Sequence, residues 1–376
     1  MKIAHVVRQF HPSIGGLEDY VFNLATEQLA AGHQVRVITL NTDFQTNEQL
    51  ADHETYKGIE IIRLPWKGST RYPLCRPDLA ALNAVDIVHV HAVDYLIDYL
   101  SLMKRTRRLT STLILSTHGG FFHTEKNQLI KKAFFQTITR FTIAKADAVL
   151  CCSSNDHALF KKITHRAKLI NNGTRLHKFG PPSLQATTQD MVYLGRFSSN
   201  KRLPWLIREY AKLANPAGVL KIIGRSKTGD SAQMVNLIKE LGCEDRVKLI
   251  MDISDEEILN HIQSSRFTVS ASEYEGFGLG VIELMSYGLV PFLSSQPASF
   301  NDFVSDSQSG ELFDYSNGSF HTHYERLISR WAPAAAERAF EYANQFSWKT
   351  VAEEIFDVYT NAIEFSVSAH RKASYR

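Results

Sequence analysis

Short apolar runs alternate with amphipathic helical patterns along most of the chain. In the first half, runs typical of strands cover residues 3–7, 34–39, 59–64, 87–91, 113–117 and 148–153, and helical periodicity covers residues 16–31 and 127–144. A second series begins near Met191 with the runs MVYLG, VLKIIG, VKLIM, FTVSA and VPFLS, separated by helical segments. Strands that alternate with helices predict parallel sheets, and the apolar centres of IVHV and LILS indicate strands covered on both faces.

The two series are joined by a segment of different composition. Residues 172–189 are rich in Gly, Pro, Ser and Thr and contain Pro181-Pro182, which is typical of a linker. We therefore expect an α/β fold of two doubly wound, Rossmann-like domains, at residues 1–180 and 186–354. Open α/β sheets bind ligands at the carboxyl ends of their strands, so the two domains should face each other across a binding cleft.

Composition narrows the class of protein further. With 376 residues, 44% hydrophobic and 22% charged, the chain is an ordinary globular protein, and no run approaches eighteen apolar residues. The opening MKIAHVVRQF is interrupted by polar residues and predicts a strand, not a secretion signal. The four cysteines, Cys75, Cys151, Cys152 and Cys243, lack metal-type spacing and fit a reducing cytoplasm.

The net charge of +3 conceals an excess of basic residues in the first half and of acidic residues in the second. Part of the basic excess is interleaved with apolar residues, namely Lys104, Arg105, Arg107, Arg108, Lys126, Lys131, Lys132 and Arg140 beside Leu129, Ile130, Phe134, Phe135 and Phe141. Such a stripe suits the inner face of an anionic membrane, and a solvated face over an ordinary core helix remains the alternative. Nucleic acid is not expected as a partner, because no recognition motif accompanies the charge.

The richest candidate site is residues 272–294, SEYEGFGLGVIELMSYGLVPFLS, where Glu275 and Glu283 stand eight positions apart across a glycine-rich turn. Gly276, Gly278 and Gly280 free the backbone for a tight turn around Phe277 and for close approach of a ligand. The helix that follows would offer unpaired N–H groups to a diphosphate, and the carboxylates would accept hydrogen bonds from sugar hydroxyls. Two ordinary surface glutamates are the alternative interpretation.

Two cations follow the first strand of the second series. YLGRFSSNKRLPWLI places Gly195 and Arg196 at the strand end and Lys201 five residues beyond Arg196. Permanent cations beside a diphosphate stabilise the charge that builds on a leaving group and need no metal. Arg202 is adjacent, which leaves open which cation reaches the phosphate.

The first half contributes candidates of its own. His118 ends the strand-like LILSTHGG, and Gly15-Gly16 directly precedes a helix, where the backbone can approach a phosphate or a sugar. His89 and His91 alternate on a strand and have the residue type of metal ligands. Their apolar surroundings favour a structural or substrate-lining role, and we expect no metal.

Together these motifs closely resemble the signature of retaining GT-B glycosyltransferases of family 4. The matching elements are E-G-F-G with a second Glu after seven residues, G-R-x4-K, T-H-G, DIVHVH, and the opening RQFHPSIGG. The resemblance implies that Glu275 contacts the transferred hexose, that Glu283 binds the nucleotide ribose, and that His118 lies near the anomeric carbon. It also implies nucleotide contacts at Gly224 and Arg225, although Arg225-Ser226 departs from the usual turn, and at the backbone near Ile253. FSWKTVAEEIFDVY resembles the terminal helix, about residues 355–376, that crosses back to the first domain.

The resemblance implies a metal-independent, retaining hexosyltransferase that uses a nucleotide sugar and no cofactor. RQFHPSIGGLEDYV is similar, more narrowly, to bacterial exopolysaccharide mannosyltransferases, so we expect GDP-mannose as donor and a polyprenyl-diphosphate-linked glycan as acceptor, at the cytoplasmic side of the inner membrane. The alternatives are a UDP-dependent glucosyl- or N-acetylglucosaminyltransferase of the same family, a nucleotide-sugar 2-epimerase of the same fold, and a non-catalytic sugar-nucleotide-binding module. The joint presence of Arg196, Lys201, Glu275 and Glu283 argues against the last.

Overall fold

A computed structural model describes residues 1–118, 135–224 and 230–374. The chain forms two compact units, of which the first comprises Met1–Gly173 with Trp348–Arg376 and the second comprises Thr174–Ser347. The chain therefore passes from the first unit to the second after Gly173, a few residues before the expected end of the first domain at 180. The terminal helix, with which the chain returns to the first unit, begins at Trp348. The sequence predicted this return at about residue 355.

The first unit contains ten strands and six α-helices among its described residues, the sixth being the terminal helix. The strands are β1 Lys2–Val6, β2 Gln34–Leu40, β3 His53–Tyr56, β4 Ile59–Leu64, β5 Trp66–Ser69, β6 Tyr72–Cys75, β7 Ile87–His91, β8 Thr112–Ser116, β9 Ala148–Cys151 and β10 Ala167–Leu169. The helices before Gly173 are α1 Gly16–Ala30, α2 Leu79–Asn83, α3 Tyr95–Arg105, α4 Arg140–Ile143 and α5 Ser154–Phe160. A π-helical turn at Phe135–Thr139 precedes α4.

Eight of these strands form one sheet in the order β10-β9-β8-β7-β1-β2-β4-β3, and β5 and β6 form a separate hairpin. All pairings in the large sheet are parallel except that of β3 with β4. Alternate residues of β1 enter different cores: Ile3 packs with α1 and the terminal helix, and Ala4 with α2, α3 and α5. Every residue of β7 and β8 is buried, which confirms that both strands are covered on both faces.

The second unit has a similar architecture. Its strands are β11 Thr188–Leu194, β12 Leu220–Gly224, β13 Val247–Met251, β14 Ser265–Ser270, β15 Val290–Ser294 and β16 Glu311–Phe313. Its helices are a 3₁₀ turn at Ser199–Lys201, α6 Leu203–Ala211, α7 Asp230–Glu240, α8 Asp255–Ile262, α9 Leu279–Met285, α10 Ala298–Ser307, α11 Ser319–Arg330 and α12 Pro333–Asn344; α13, Trp348–Ser374, then belongs to the first unit.

The six strands of the second unit form an entirely parallel sheet in the order β13-β12-β11-β14-β15-β16. Met191 and Tyr193 pack with α6, α7 and α11, whereas Val192 packs with α8 and α9. The sheet is thus covered on both faces, as expected of a doubly wound domain. In a parallel sheet all carboxyl ends lie along one edge, and the loops that carry the candidate residues begin there.

Most strands predicted from the sequence are confirmed to within two residues at either end. Much of the helix expected at 127–144 lies outside the described residues, and its described end is split between a π-helical turn and α4. Phe135 corrects one expectation: it was placed on the basic, membrane-facing stripe, but it is buried and packs against Phe160 at a ring distance of 5.1 Å. Within the described residues, no helix combines the length and the apolar character needed to span a bilayer.

Candidate functional site

The glycine-rich turn of the second unit connects β14 to α9. Gly278 precedes the helix with φ of +106°, a backbone conformation that favours glycine, and a Cβ there would press against Phe300. Gly280 lies in the first turn of α9, where a Cβ would overlap the carbonyl oxygen of Leu194 at the end of β11. A Cβ at Gly276 would meet nothing within 4 Å. Two of the three glycines are therefore required by the fold itself, and binding of a diphosphate at this turn stays a prediction.

The ring of Phe277 points into the protein. It is buried and lies 5.4 Å from the ring of Phe303 and 5.3 Å from that of Phe346. Its side chain therefore anchors the turn, and only its backbone is left to serve the nucleotide contact that the sequence predicted.

Glu275 is held by a cation and a hydroxyl. Lys201 forms an ion pair with Oε1 of Glu275, and Ser272 donates a hydrogen bond to the same oxygen at 2.8 Å. The Ser270 hydroxyl supports Ser272 at 3.0 Å. The two residues that the sequence assigned to the hexose and to the diphosphate are thus brought together, although 74 positions separate them.

The structure distinguishes Lys201 from its neighbour Arg202. The Arg202 guanidinium pairs with Glu273 and lies 4.2 Å from the ring centre of Tyr315, whose hydroxyl donates to the backbone of Ala271 at 2.6 Å. Arg202 is therefore engaged in holding the loop. Of these two cations, Lys201 contacts the candidate carboxylate Glu275, whereas Arg202 contacts Glu273.

Arg196 follows β11 and is exposed. Its backbone carbonyl accepts a hydrogen bond from the Tyr193 hydroxyl at 3.0 Å, and no ion pair between described residues involves its guanidinium. Burial raises the pKa of Tyr193, and the negative charge of Glu275 raises it further, so the phenol stays neutral and available as a donor. This bond fixes the backbone of Arg196 while its cation remains free to bind an anion.

Gly195 and Gly224 lie at the carboxyl ends of the adjacent strands β11 and β12, Gly195 directly after β11 and Gly224 as the last residue of β12. A Cβ on Gly224 would overlap the carbonyl oxygen of Gly195, so glycine is required for the two strand ends to approach. Arg225, the neighbouring candidate, lies outside the described residues. Ile253 packs against the apolar cluster that contains Ile258, which leaves its backbone as the group that could contact a base.

Glu283 lies in α9 and pairs with Lys178 at 2.7 Å. Burial raises the pKa of the Glu283 carboxyl, and Lys178 and Arg175 oppose this shift with their positive charges. Sequence reasoning missed Lys178 because it treated residues 172–189 as a linker. The available signal was the concentration of basic side chains in TRLHK within that segment.

In the first unit, Gly15 precedes α1, which begins at Gly16. A Cβ on Gly15 would meet the carboxylate of Glu18, whereas one on Gly16 would meet nothing within 4 Å. Glu18 and Asp19 place two acidic groups in the first turn of α1, and burial raises the pKa of Glu18. Carboxylates repel phosphate and accept hydrogen bonds from hydroxyls, so this helix end suits a sugar better than a phosphate.

His118 is half-buried directly beyond β8 and has φ of +51°. Its Nε2 lies 3.1 Å from Nδ1 of His91, and the Tyr20 ring packs edge-on against it at 4.5 Å. Burial lowers the pKa of His118 to about 3, so the imidazole is neutral near pH 7. Sequence reasoning identified His91 and His118 separately but did not predict their contact.

His5, His89 and His91 bring potential ligand nitrogens within 4.8 Å of one another, the arrangement that could hold a metal ion. Each ring is already hydrogen-bonded: His5 to His91 at 2.9 Å, and His89 to Tyr359 at 2.6 Å and to Ser116 at 2.7 Å. A metal would have to break these bonds between neutral groups. We therefore interpret the cluster as a hydrogen-bond network.

Comparison with protein families matches both halves of the chain. The family described as Glycosyltransferase Family 4 matches residues 14–178, and the family described as Glycosyl transferases group 1 matches residues 177–345. The candidate residues Arg196, Lys201, Glu275 and Glu283 all fall within the second match.

Two curated relatives are similar over nearly the whole chain. The GDP-mannose:cellobiosyl-diphosphopolyprenol alpha-mannosyltransferase of Xanthomonas campestris is 34% identical over 96% of this chain and 97% of its own. The enzyme of the same name from Komagataeibacter xylinus is 31% identical over 96% of this chain and 94% of its own.

Solved structures show the same fold. The sucrose-phosphate synthase of Thermosynechococcus elongatus is 20% identical, covers 96% of this chain and 98% of its own, and superimposes with a TM-score of 0.71. Anabaena HepE in complex with UDP is 16% identical, covers 96% of this chain and 100% of its own, and also has a TM-score of 0.71. The two α/β units, the paired motifs and these similarities show that the chain belongs to the group 1, family 4 glycosyltransferases and is a glycosyltransferase of the GT-B fold.

Proposed function

We propose that the protein transfers mannose from GDP-mannose to a polyprenyl-diphosphate-linked glycan, with retention of configuration and without a metal. The observation that carries this proposal is the 34% identity over 96% of the chain to an enzyme named for that donor and for a diphosphopolyprenol acceptor. The pairing of Lys201 with Glu275 supports it, because one candidate for the diphosphate and one for the hexose lie in contact.

In the proposed reaction the acceptor hydroxyl approaches the anomeric carbon on the face of the leaving group. The bond from that carbon to the β-phosphate oxygen breaks as the bond to the acceptor oxygen forms, and the departing diphosphate takes the hydroxyl proton. Lys201 and Arg196 stabilise the negative charge on the diphosphate. Glu275 holds a hexose hydroxyl, while Lys201 and Ser272 both contact its Oε1. It is not one member of a glycosidase carboxylate pair, because in this reaction no protein group attacks the sugar.

A panel of nucleotides tests the donor. We expect GDP to raise the melting temperature more than UDP or ADP, because a ligand at a hundred times its Kd stabilises the folded state by about 2.7 kcal/mol. Incubation with GDP-mannose and a polyprenyl-diphosphate disaccharide should then yield an α-linked mannoside, in the presence of EDTA as in its absence. Stabilisation by UDP alone would favour a UDP-sugar transferase, and conversion of UDP-N-acetylglucosamine without an acceptor would favour the 2-epimerase.

Access to a lipid-linked acceptor requires contact with a membrane, and the described part of the basic stripe has suitable chemistry. Phe141 of the stripe is 51% exposed, and Leu102 and Ile138, which the sequence did not assign to the stripe, are 42% and 46% exposed. The Arg105 guanidinium lies 3.8 Å from the ring centre of Phe141. Arg107, Arg108 and Arg140 add exposed cations, whereas Lys104 is engaged with Asp147 at 2.9 Å. Residues 126, 129–132 and 134 of the stripe lie outside the described residues. We propose that this surface docks on the anionic inner face of the membrane.

Sedimentation with vesicles tests the docking. The protein should sediment with phosphatidylglycerol vesicles at low salt and not with phosphatidylcholine vesicles, because exposed cations attract anionic lipid. Exchanging Arg107 and Arg108 for glutamine together with Phe141→Ser should abolish sedimentation. The matched control, Lys161→Gln with Lys162→Gln, removes two exposed charges of the same unit and should retain it. If both variants lost sedimentation equally, binding would depend on the overall positive charge of the unit, and the stripe would not be a specific docking surface.

A further inference from the structure

The buried histidines of the first unit belong to a continuous chain of hydrogen bonds that ends at His118. Oε1 of Gln28 lies 2.7 Å from Nε2 of His5, Nδ1 of His5 lies 2.9 Å from Nε2 of His91, and Nδ1 of His91 lies 3.1 Å from Nε2 of His118. On its other side, the Gln28 amide donates to the Tyr359 hydroxyl at 3.3 Å. A carboxamide in the core is thereby connected to the candidate sugar-binding histidine through two imidazoles.

All links of this chain are uncharged near neutral pH. Burial lowers the pKa of His5 to about 4, although its bond to Gln28 partly offsets the shift, and burial together with the neighbouring imidazoles lowers the pKa of His91 well below 6.5. The pKa of His118 is about 3 for the same reason of burial. A neutral imidazole has one N–H donor and one lone pair, so successive links must all run in the same direction.

Gln28 sets that direction. Because its oxygen faces His5, the proton of His5 lies on Nε2, and Nδ1 of His5 must accept. His91 then donates from Nε2 and accepts at Nδ1, and His118 must donate from Nε2. The remaining lone pair of His118 is on Nδ1, and no hydrogen bond between described residues uses that atom.

Tyr359 holds Gln28 in this orientation. Its hydroxyl accepts from the Gln28 amide, which leaves its proton for Nδ1 of His89 at 2.6 Å, and Nε2 of His89 then donates to the Ser116 hydroxyl at 2.7 Å. If the carboxamide turned over, its NH₂ group would face His5. Every proton along the chain would then move to the other ring nitrogen, and His118 would present an N–H group.

We propose that Gln28 is a positioning residue that fixes the tautomer of His118 through His5 and His91, so that Nδ1 of His118 accepts a hydrogen bond from a hydroxyl of the donor sugar. This inference rests on the proposed function and on the position of His118 near the anomeric carbon that the family resemblance implies. It assigns a specificity to the site, because a sugar in which a fluorine or a methoxy group replaces that hydroxyl has no proton to donate.

The tautomers can be measured directly. In the ligand-free, full-length protein labelled with ¹⁵N-histidine, long-range ¹H–¹⁵N spectra distinguish protonated from unprotonated ring nitrogens, and His118→Asn and His91→Asn assign the signals. We expect His5, His89, His91 and His118 to be protonated on Nε2. In Gln28→Met, the form protonated on Nδ1 should appear at His118, and kcat should fall by about tenfold or more.

Two variants separate positioning from stability. Leu24→Ala removes apolar contacts from the same helix and should lower the melting temperature while leaving the tautomers unchanged. Gln28→Glu keeps an acceptor oxygen toward His5 and should restore the Nε2–H form at His118. A wild-type His118 protonated on Nδ1, or unchanged tautomers in Gln28→Met, would overturn the proposal. Since the spectra require no substrate, the expected tautomers in a protein that transfers no sugar would refute the proposed function and leave the tautomer assignment in place.

Discussion

Lys201→Ala is expected to lower kcat by about 10²–10³-fold, the loss typical when one preorganised group that stabilises transition-state charge is removed. The lysine ammonium is in contact with the Glu275 carboxylate, so the fold itself positions a cation beside the candidate hexose-binding residue and little reorganisation is needed. Arg196→Ala should cause a loss of similar size, since its guanidinium is exposed and free of ion pairs among the described residues. Steady-state kinetics with GDP-mannose measure both effects, and circular dichroism checks that the fold is retained.

Arg202 offers a matched control for Lys201. It is the adjacent cation, but its guanidinium is committed to Glu273 and Tyr315. Arg202→Asn preserves the left-handed backbone at φ of +51°, which asparagine tolerates, and should change kcat less than tenfold. If Lys201→Ala also retained more than a tenth of wild-type turnover, the assignment of Lys201 to the diphosphate would be wrong.

The ion pair makes a further prediction about additivity. Because Lys201 and Glu275 contact each other, the loss in the double variant Lys201→Ala, Glu275→Ala should be smaller than the product of the two single losses. If the loss in the double variant equalled the product of the two single losses, Lys201 and Glu275 would not be in contact when the donor is bound.

Glu283→Ala should raise the Kd for GDP by about ten- to a hundredfold, because a hydrogen bond to a charged group contributes about 1.5–3 kcal/mol. Calorimetric titration measures this directly. Glu273→Ala, which removes another carboxylate paired with a cation in the same unit, should leave the affinity unchanged. Equal affinities of wild type and Glu283→Ala for GDP would remove Glu283 from the ribose.

The pKa of Glu283 gives the same prediction a pH dependence. Burial raises this pKa, and the ionised carboxylate is the better acceptor for ribose hydroxyls, so GDP affinity should decrease as the pH falls toward it. Lys178→Met removes the cation that opposes the shift and should move this decrease to higher pH. An affinity profile that is identical in Lys178→Met and wild type would show that the pair has no role in binding.

Local sequence was sufficient for most of the fold. The apolar runs around Val90 and Leu115 predicted strands buried on both faces, because such runs have no polar side to expose to water. The sequence also identified the glycines of the turn. It did not show why residue 280 must be glycine, because the carbonyl oxygen of Leu194 that would clash with a side chain there is distant in sequence. Phe135 shows the limit: in the sequence it follows Phe134 among basic residues, and only the packing against Phe160 places it in the core.

Periodicity and spacing were enough to predict the two α/β units, the candidate residues of both and the family to which they belong, because they are properties of neighbouring positions along the chain. The partners of these residues became known only from the folded chain: Lys201 pairs with Glu275, Lys178 with Glu283, and Gln28 with the histidines that lead to His118. These partners lie on different elements, and the hydrogen bonds and charges that join them act over a few ångströms. Strand register and loop path decide which distant residues come within that range.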